Sequence, residues 1–358
     1  MPAMKIHGYE MRAVRQPLVR AAREIDGPGK GEVLVRVVGC GVCHTDLGFL
    51  YEGVPVRHAL PLVLGHEIAG VVVSEGEGVS GLSGKAVIVP AVIPCGACAI
   101  CRRGRGDLCR KQVFPGNDVH GGFASHVVVP AQGLCVVPGG ERDPAMLARL
   151  SVVADAVSTA YQAVLKSGLS NDDFAVSIGV GGVGNFAAQI AAARGARVLA
   201  IDVDDGRLGR MREHGAEWTL NVRGMGTDDI RKRVREIAKT FGLPQTEWKI
   251  FETSGTGAGQ SAAWALLTYG AVLSVVGFHP GDVSVRLSNL MAFAARAEGT
   301  WGCLPEHFPA VLELVREGRI ALDPFIEMHP MSELPQVLEQ MNRHEITRRP
   351  VLLPDFEK

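Results

Sequence analysis

The sequence predicts an α/β protein of two domains: a doubly wound parallel six-stranded sheet, and a β-rich domain that precedes it. Three observations carry this reading. The chain has 358 residues and is 47% hydrophobic, which is enough for more than one buried core. From about residue 172 to about residue 303, short β-branched runs alternate with segments of helical apolar periodicity, the pattern of parallel strands joined by helices. Before about residue 150, short apolar runs broken by Gly and Pro follow one another without such helices.

In chain order, the first domain is built from runs such as EVLVRVVG, IAGVVVSEG, KAVIVPAV and FASHVVVP. In the second, strands are expected at FAVSIG, RVLAID, EWTLNV, WKIFET, AVLSVVG and near EGTWGC. Helices are expected between them at about 183–194, 205–214, 228–241 and 257–268. Right-handed crossovers then give a sheet with helices on both faces. After residue 303, EHFPAVLELVREGRI and SELPQVLEQMNRH read as amphipathic helices that fold back onto the first domain. The expected division is 1–156 with 300–358 for the β-rich domain, and 157–299 for the parallel sheet.

Composition narrows the function. With 37 basic and 38 acidic residues the net charge is -1, so nothing points to a general nucleic-acid or anionic-membrane surface. The N-terminus, MPAMKIHGYEMRAVRQ, is too polar for a secretory segment, and a cytoplasmic protein is expected. Residues 253–281 lack Asp, Glu, Lys and Arg, but Gly, Ser, Thr and Tyr interrupt them; a helix followed by a buried strand fits better than a membrane span. Of the eight cysteines, four crowd into the stretch 95–109, a spacing for metal ligation rather than disulfides.

Three motifs carry chemistry. In SIGVGGVGNFAAQIA a β-branched strand runs into Gly179-x-Gly181-x-x-Gly184 and then a helix. The glycines permit a tight turn and let the backbone approach a pyrophosphate at the helix N-terminus, which makes Gly179, Gly181, Gly182, Val183 and Gly184 the candidate cradle. Asp202 ends the next strand, where an acid accepts hydrogen bonds from the adenosine ribose and repels the 2′-phosphate of NADP. NAD is therefore the expected cofactor. Arg207 is either a phosphate binder or a solvated helix residue beside the ribose.

The second motif is Cys95-x2-Cys98-x2-Cys101-x7-Cys109. Four thiolates close a tetrahedral shell around zinc and leave no place for substrate, so this is expected to be a structural site. An iron–sulfur cluster is the competing reading, although the spacing does not follow the common ferredoxin patterns. The RRGRGD run inside the loop reads as its solvated face.

The third comprises GCGVCHTDL and LPLVLGHEIAG, where Cys43 and His66 are flanked by glycine at the mouths of apolar runs. Either could be an ordinary core residue. Together they offer two ligands for a catalytic zinc, which takes three from the protein and keeps a fourth position open. The segment SVVADAVSTAYQA adds a puzzle, since Asp155 lies in an otherwise small and apolar run. A buried carboxylate needs a positive partner.

These motifs, in this order, resemble the zinc-dependent alcohol dehydrogenases of the medium-chain dehydrogenase/reductase superfamily, over nearly the whole chain. The resemblance implies a Rossmann domain and a GroES-like catalytic domain. It places the third catalytic ligand, Cys in most members and Asp in several bacterial ones, just before an xxSTxY pattern, here DAVSTAY, and so on Asp155. Carried over residue by residue, Cys43, His66 and Asp155 hold the metal, with Glu67 as an exchangeable fourth ligand. Thr45 accepts the substrate hydroxyl proton and Asp46 orients His66. His44 lies against the cofactor pyrophosphate and Thr159 beside the nicotinamide, which the glycine turn and the strand ends near Val276 and Trp301 are expected to hold in place. Two Zn2+ per chain follow, one catalytic and one structural. The histidine that ends the family's proton relay would stand at position 48, where this chain has Gly48.

A closer similarity runs through GCGVCHTDLGFLYEGVP, IVPAVIPC, SVVADAVSTAYQA, WKIFETSG and LMAFAARAEGTWGCLPE. It implies a branch of the family whose small-molecule substrate is a cyclic hydroxy-enoyl-CoA. The rivals are a zinc dehydrogenase for a small free alcohol or polyol, and a non-catalytic cofactor-binding relative. The complete set of Cys43, Thr45, His66 and Asp155 argues against the latter. The resemblance further implies a homodimer or homotetramer built on edge strands near Ala297–Cys303.

Overall fold

The computed structural model describes residues 4–356, which form two compact units. The first holds the described residues up to Ser158, Gly302–Leu312 and the chain from Ile326 onward; the second holds Thr159–Trp301 and Glu313–Phe325. The expected division thus shifts by two residues at 156. It also changes in the tail, where Glu313–Phe325 lies with the parallel sheet rather than with the β-rich unit. The physical basis is local: Gln189 in the sheet's first crossover helix accepts a hydrogen bond from Ala321 N at 2.8 Å, and Phe325 packs edge-on to Phe186.

In the first unit the strands Glu32–Gly41 and Glu67–Glu75 pair antiparallel at the centre of a seven-stranded sheet. Ala86–Val89 and Cys135–Val136 extend one side; Arg349–Leu353 and Ile326–Pro330 extend the other. His126–Pro130 also pairs with Glu32–Gly41. A smaller sheet joins Val19–Ile25, Met4–Met11 and Leu62–Val63. One apolar core unites these elements, with Phe123, Ile68 and Leu62 fully buried in it. The C-terminal helix Leu334–Asn342 does return to this core, through Leu334, Val337, Leu338 and Met341 at the helical spacing read from sequence.

The second unit has the expected six parallel strands: Phe174–Ile178, Arg197–Asp202, Trp218–Asn221, Lys249–Glu252, Val272–Val275 and Arg296–Gly299. Their spatial order is third, second, first, fourth, fifth, sixth. That is the doubly wound dinucleotide-binding topology, whose ligand crevice lies where the order reverses beside the first strand. The helices Gly184–Ala193, Asp205–Glu213, Thr227–Thr240 and Gly257–Ala265 follow the periodicity closely. The sixth strand is displaced from EGTWGC to Arg296–Gly299, because it is an edge strand exposed at all but Glu298, without the apolar run that marks a buried one. No helix among the described residues is long and apolar enough to cross a membrane.

One histidine gives the first unit an acid sensitivity. His120 Nδ1 accepts a hydrogen bond from Val63 N at 3.2 Å, and burial, aided by Arg23 and His58, pushes its pKa down to about 4. The folded state therefore binds this proton less readily than the unfolded chain does. Stability should be complete above the ordinary histidine range and fall as pH drops from about 6.5 towards 4, by about 1–3 kcal/mol after discounting for partial exposure. Denaturant titrations of wild type and His120→Asn across that window should show the wild-type slope flattened in the variant. Parallel pH profiles would contradict this account.

Candidate active site

Three chain segments bring Cys43, His66 and Asp155 together. Cys43 caps the four-residue helix His44–Leu47. His66 immediately precedes the strand Glu67–Glu75, and Asp155 separates the 3-10 turn Leu150–Ala154 from the helix Ala156–Lys166. Their ligand atoms all lie within 4.8 Å of one another. Cys43 Sγ is 3.8 Å from Asp155 Oδ2, which is 3.4 Å from His66 Nε2.

Asp46 holds two of these segments at once. One of its oxygens accepts from Cys43 N at 2.9 Å. The other accepts from Gly65 N at 3.1 Å and stands 3.5 Å from His66 Nδ1. Gly65 has φ +91°, and a Cβ there would meet the Phe123 ring at 2.6 Å, so this approach requires glycine. With Nδ1 turned to a carboxylate, Nε2 is the imidazole atom left for a metal. The separations match the edges of a tetrahedron around zinc, about 3.3–3.8 Å for metal–ligand distances of about 2.0–2.3 Å. The donor set of thiolate, imidazole and carboxylate, with a fourth position open, is that of a catalytic zinc.

The electrostatics agree. Burial disfavours the His66 imidazolium, but Asp46 and hydrogen bonds to Asp155, Asp46 and Cys43 outweigh it and raise the pKa well above the ordinary value. Such a nest of acceptors favours a cation, and zinc supplies one while displacing the proton. Thr45 Oγ1 lies 3.6 Å from Cys43 Sγ, at the edge of this group.

Glu67 is placed otherwise than expected for a metal ligand. It is fully buried, and both oxygens are engaged: Oε1 accepts from Ala156 N at 2.9 Å and Oε2 accepts from Arg349 Nε at 2.7 Å. It does not join the three ligands in this arrangement. Arg349 went unnoticed in the sequence. Burial opposes its charge, but Glu67 at 2.7 Å and the Cys43 and Asp155 charges keep its pKa above the ordinary value. Its Nη2 is 3.9 Å from Asp155 Oδ2, so the carboxylate in the apolar run has a cationic neighbour in the protein as well as a metal-type ligand set. The only signal available was a charged residue, Arg349, beside the apolar run PVLL.

The second cluster is Cys95, Cys98, Cys101 and Cys109. The sulfurs of Cys98 and Cys101 are 3.4 Å apart, those of Cys95 and Cys101 4.0 Å, and those of Cys98 and Cys109 3.9 Å. A zinc tetrathiolate has edges of about 3.8 Å. Cys101 N and its thiol both hydrogen-bond to the Cys98 sulfur and pull its pKa down to about 6, while the Cys101 thiol is pushed up to about 12. All eight cysteines are free thiols, so these four are available to a metal.

In the second unit, Gly179 has φ +81°, and a Cβ on it would lie 2.4 Å from Ser254 Cα. A Cβ on Gly184 would lie 2.0 Å from Gly179 O. These two glycines are dictated by close packing, whereas Gly181 has open space around it apart from Arg207 at 3.8 Å. Val183 caps the helix that opens at Gly184, and Gly182 completes the turn between them. Asp202 is buried and accepts from Val180 N at 2.9 Å with one oxygen, and from Val203 N and Asp204 N with the other. Arg207 Nη1 lies 3.8 Å from that carboxylate, half-buried rather than solvated. Val276 follows the fifth strand, with its N–H bonded to Glu252 O. Thr159 is buried in the helix Ala156–Lys166, and His44 is exposed at the start of the helix that Cys43 caps.

Comparison with known proteins agrees with this geometry. Residues 29–139 match the alcohol dehydrogenase GroES-like domain, and residues 182–317 match the zinc-binding dehydrogenase family. An alcohol dehydrogenase of Geobacillus stearothermophilus is 29% identical over 337 residues, covering 93% of this chain and 96% of the relative. An L-threonine 3-dehydrogenase of Francisella tularensis is 30% identical over 283 residues, covering 76% and 78%. The structure of acetophenone reductase from Geotrichum candidum in complex with NAD superposes with a TM-score of 0.84 at 27% identity, covering 99% of this chain and 98% of that one. The chain belongs to the zinc-binding alcohol dehydrogenases of the medium-chain dehydrogenase/reductase superfamily. Within that class it is an NAD-dependent oxidoreductase with two zinc sites per chain, one open and one closed.

Metal analysis checks both sites. Asp155→Ala should lose about one zinc equivalent per chain and nearly all turnover while the fold persists. Cys98→Ser should lose the other equivalent and lower thermal stability before activity. Two full equivalents with full activity in Asp155→Ala would contradict the assignment.

Proposed function

We propose that the enzyme oxidises 6-hydroxycyclohex-1-ene-1-carbonyl-CoA to 6-oxocyclohex-1-ene-1-carbonyl-CoA, a step of anaerobic benzoyl-CoA degradation. The observation that carries the substrate is the run of five stretches, from GCGVCHTDLGFLYEGVP to LMAFAARAEGTWGCLPE, similar to dehydrogenases of that activity. The observation that supports the reaction type is the open Cys43–His66–Asp155 ligand set. The carbinol carbon gives a hydride to NAD and its hydroxyl gives up a proton, leaving a ketone, NADH and a proton. The carbinol is β to the thioester carbonyl and next to the ring alkene, so the product ketone is conjugated.

When bound, zinc supplies Lewis acidity that makes the hydroxyl more acidic, and NAD supplies the hydride acceptor. Thr45 takes the hydroxyl proton, and Asp46 fixes the His66 ring so that one nitrogen faces the ligand set. Gly48 cannot relay a proton, so the proton leaves Thr45 by a path that the histidine-bearing members do not need. The glycine turn holds the cofactor pyrophosphate, and Asp202 favours the adenosine ribose of NAD over its phosphorylated counterpart. We further propose assembly into a homodimer or homotetramer through the edge strand Arg296–Gly299, whose outer side is unpaired among the described residues.

A second reading, a dehydrogenase for small free alcohols, is favoured by relatives named alcohol dehydrogenase and L-threonine 3-dehydrogenase. Initial NADH formation from the CoA thioester, its free acid, cyclohexenol and ethanol at equal concentration separates the two. The thioester should exceed the others in kcat/KM by about 100-fold or more, because a remote handle contributes binding energy that positions the carbinol. Equal rates on cyclohexenol and the thioester would favour the free-alcohol reading. Asp202→Ser should narrow the preference for NAD over NADP by about tenfold, measured as the ratio of kcat/KM for the two cofactors. A wild type that prefers NADP would overturn the cofactor assignment.

A further inference from the structure

The structural-zinc loop carries a charge excess that its metal does not use. Between Cys95 and Lys111 stand Arg102, Arg103, Arg105, Arg110 and Lys111 against a single acid, Asp107. Arg105 neutralises Asp107 through two bonds of 3.1 Å. A zinc tetrathiolate carries a charge of about -2 and absorbs part of the remainder, which still leaves the loop cationic in a chain whose net charge is -1.

This excess lines a cavity. A surface pocket of about 600 Å³ lies between the loop and the segment around Arg57, and Arg57, Arg110 and Lys111 are its cations. Its two acids are already engaged. Asp107 pairs with Arg105, and Asp118 pairs with Arg57 at 3.1 Å while accepting from Phe114 N at 2.9 Å. Arg110 and Lys111 are exposed and make no ion pair among the described residues. The pocket is therefore a concave surface with unspent positive charge, suited to a polyanion.

It is also tied to the open metal site within the same unit. Phe114, whose N–H binds Asp118, packs edge-on to His66 with ring centroids 5.1 Å apart. From the pocket's edge to a zinc ligand the chain of contacts is thus Arg57, Asp118, Phe114, His66. A pantetheine arm has a backbone equal to about four residues and reaches about 14 Å when extended, which sets the span over which a phosphate site can serve the metal site.

We infer that the cavity lined by Arg57, Arg110 and Lys111 binds the phosphate groups of the coenzyme A handle while the acyl ring sits at the Cys43–His66–Asp155 site. This rests on the proposed thioester substrate. The handle carries about four negative charges on its diphosphate and 3′-phosphate, and guanidinium groups bind phosphate through paired, charge-assisted hydrogen bonds. The loop cations then do more than offset thiolates, and the closed zinc holds a binding surface in shape.

The test uses the zinc-loaded enzyme and two variants, Arg110→Gln/Lys111→Gln and Arg57→Gln, each first shown to retain two zinc equivalents. The readout is kcat/KM for the CoA thioester divided by that for the matching N-acetylcysteamine thioester, which lacks every phosphate. The double variant should lower this ratio about tenfold or more, and Arg57→Gln should lower it in the same direction. Titration with 3′,5′-ADP should show binding to the wild type that weakens with salt and in the double variant. Turnover of both thioesters with an unchanged ratio would overturn the phosphate site and leave the substrate reading standing. Turnover of neither thioester would remove the substrate reading and, with it, this inference, whatever the nucleotide titration gives.

Discussion

A single buried carboxylate sets the geometry on which the metal site depends. Glu67 follows the ligand His66, caps the helix that follows the ligand Asp155, and pairs with Arg349 on a strand 282 residues away in sequence. It thereby fixes the central sheet strand, the segment leading into the cofactor unit and the C-terminal strand against one another. Room for it exists because position 41 is glycine: a Cβ there would stand 2.0 Å from Glu67 Oε2. Gly41 lies two residues before Cys43, so the same accommodation governs where the thiolate arrives.

Such a pair is costly to bury, and its value lies in orientation more than in net stabilisation. Removing either member alone would strand a charge in the core at a cost of about 3–5 kcal/mol. The pair also shapes the field at the metal. Arg349 faces Asp155 at 3.9 Å as well as Glu67 at 2.7 Å, so one buried guanidinium places positive charge beside both carboxylates, the metal-type ligand and its neighbour. Asp46 performs the matching task on the other side, joining Cys43 to His66 through backbone and ring together.

The two zinc clusters express a difference in chemistry through a difference in surroundings. The four-cysteine cluster is local, assembled by backbone N–H groups within fifteen residues, and at least one of its thiols gives up its proton easily. The three-ligand cluster is assembled from three distant segments and depends on the core between them. Local assembly suits a clamp that shapes a surface loop. Long-range assembly suits a site that must present one open position to a reactant.

The sequence by itself determined whatever has a short period or a short spacing. The four inner parallel strands are buried and carry central apolar runs, so they were legible at FAVSIG, RVLAID, WKIFET and AVLSVVG, and the half-buried edge strand was legible at EWTLNV; the opposite edge strand, mostly exposed, was not, and it lies earlier than EGTWGC suggested. The glycine turn and the four cysteines were legible because steric and coordination rules fix their spacing. Asp155 was legible as an anomaly, a charge in an apolar run, and the family pattern gave it a role. Tertiary structure alone decided that Glu67 binds Arg349, that Glu313–Phe325 belongs with the parallel sheet, and that the loop cations line a cavity with Arg57. Each of these joins groups far apart in the chain or on different faces of it. A pairing of that kind leaves no periodicity to read, because it is fixed by the packing of whole elements and not by the residues on either side.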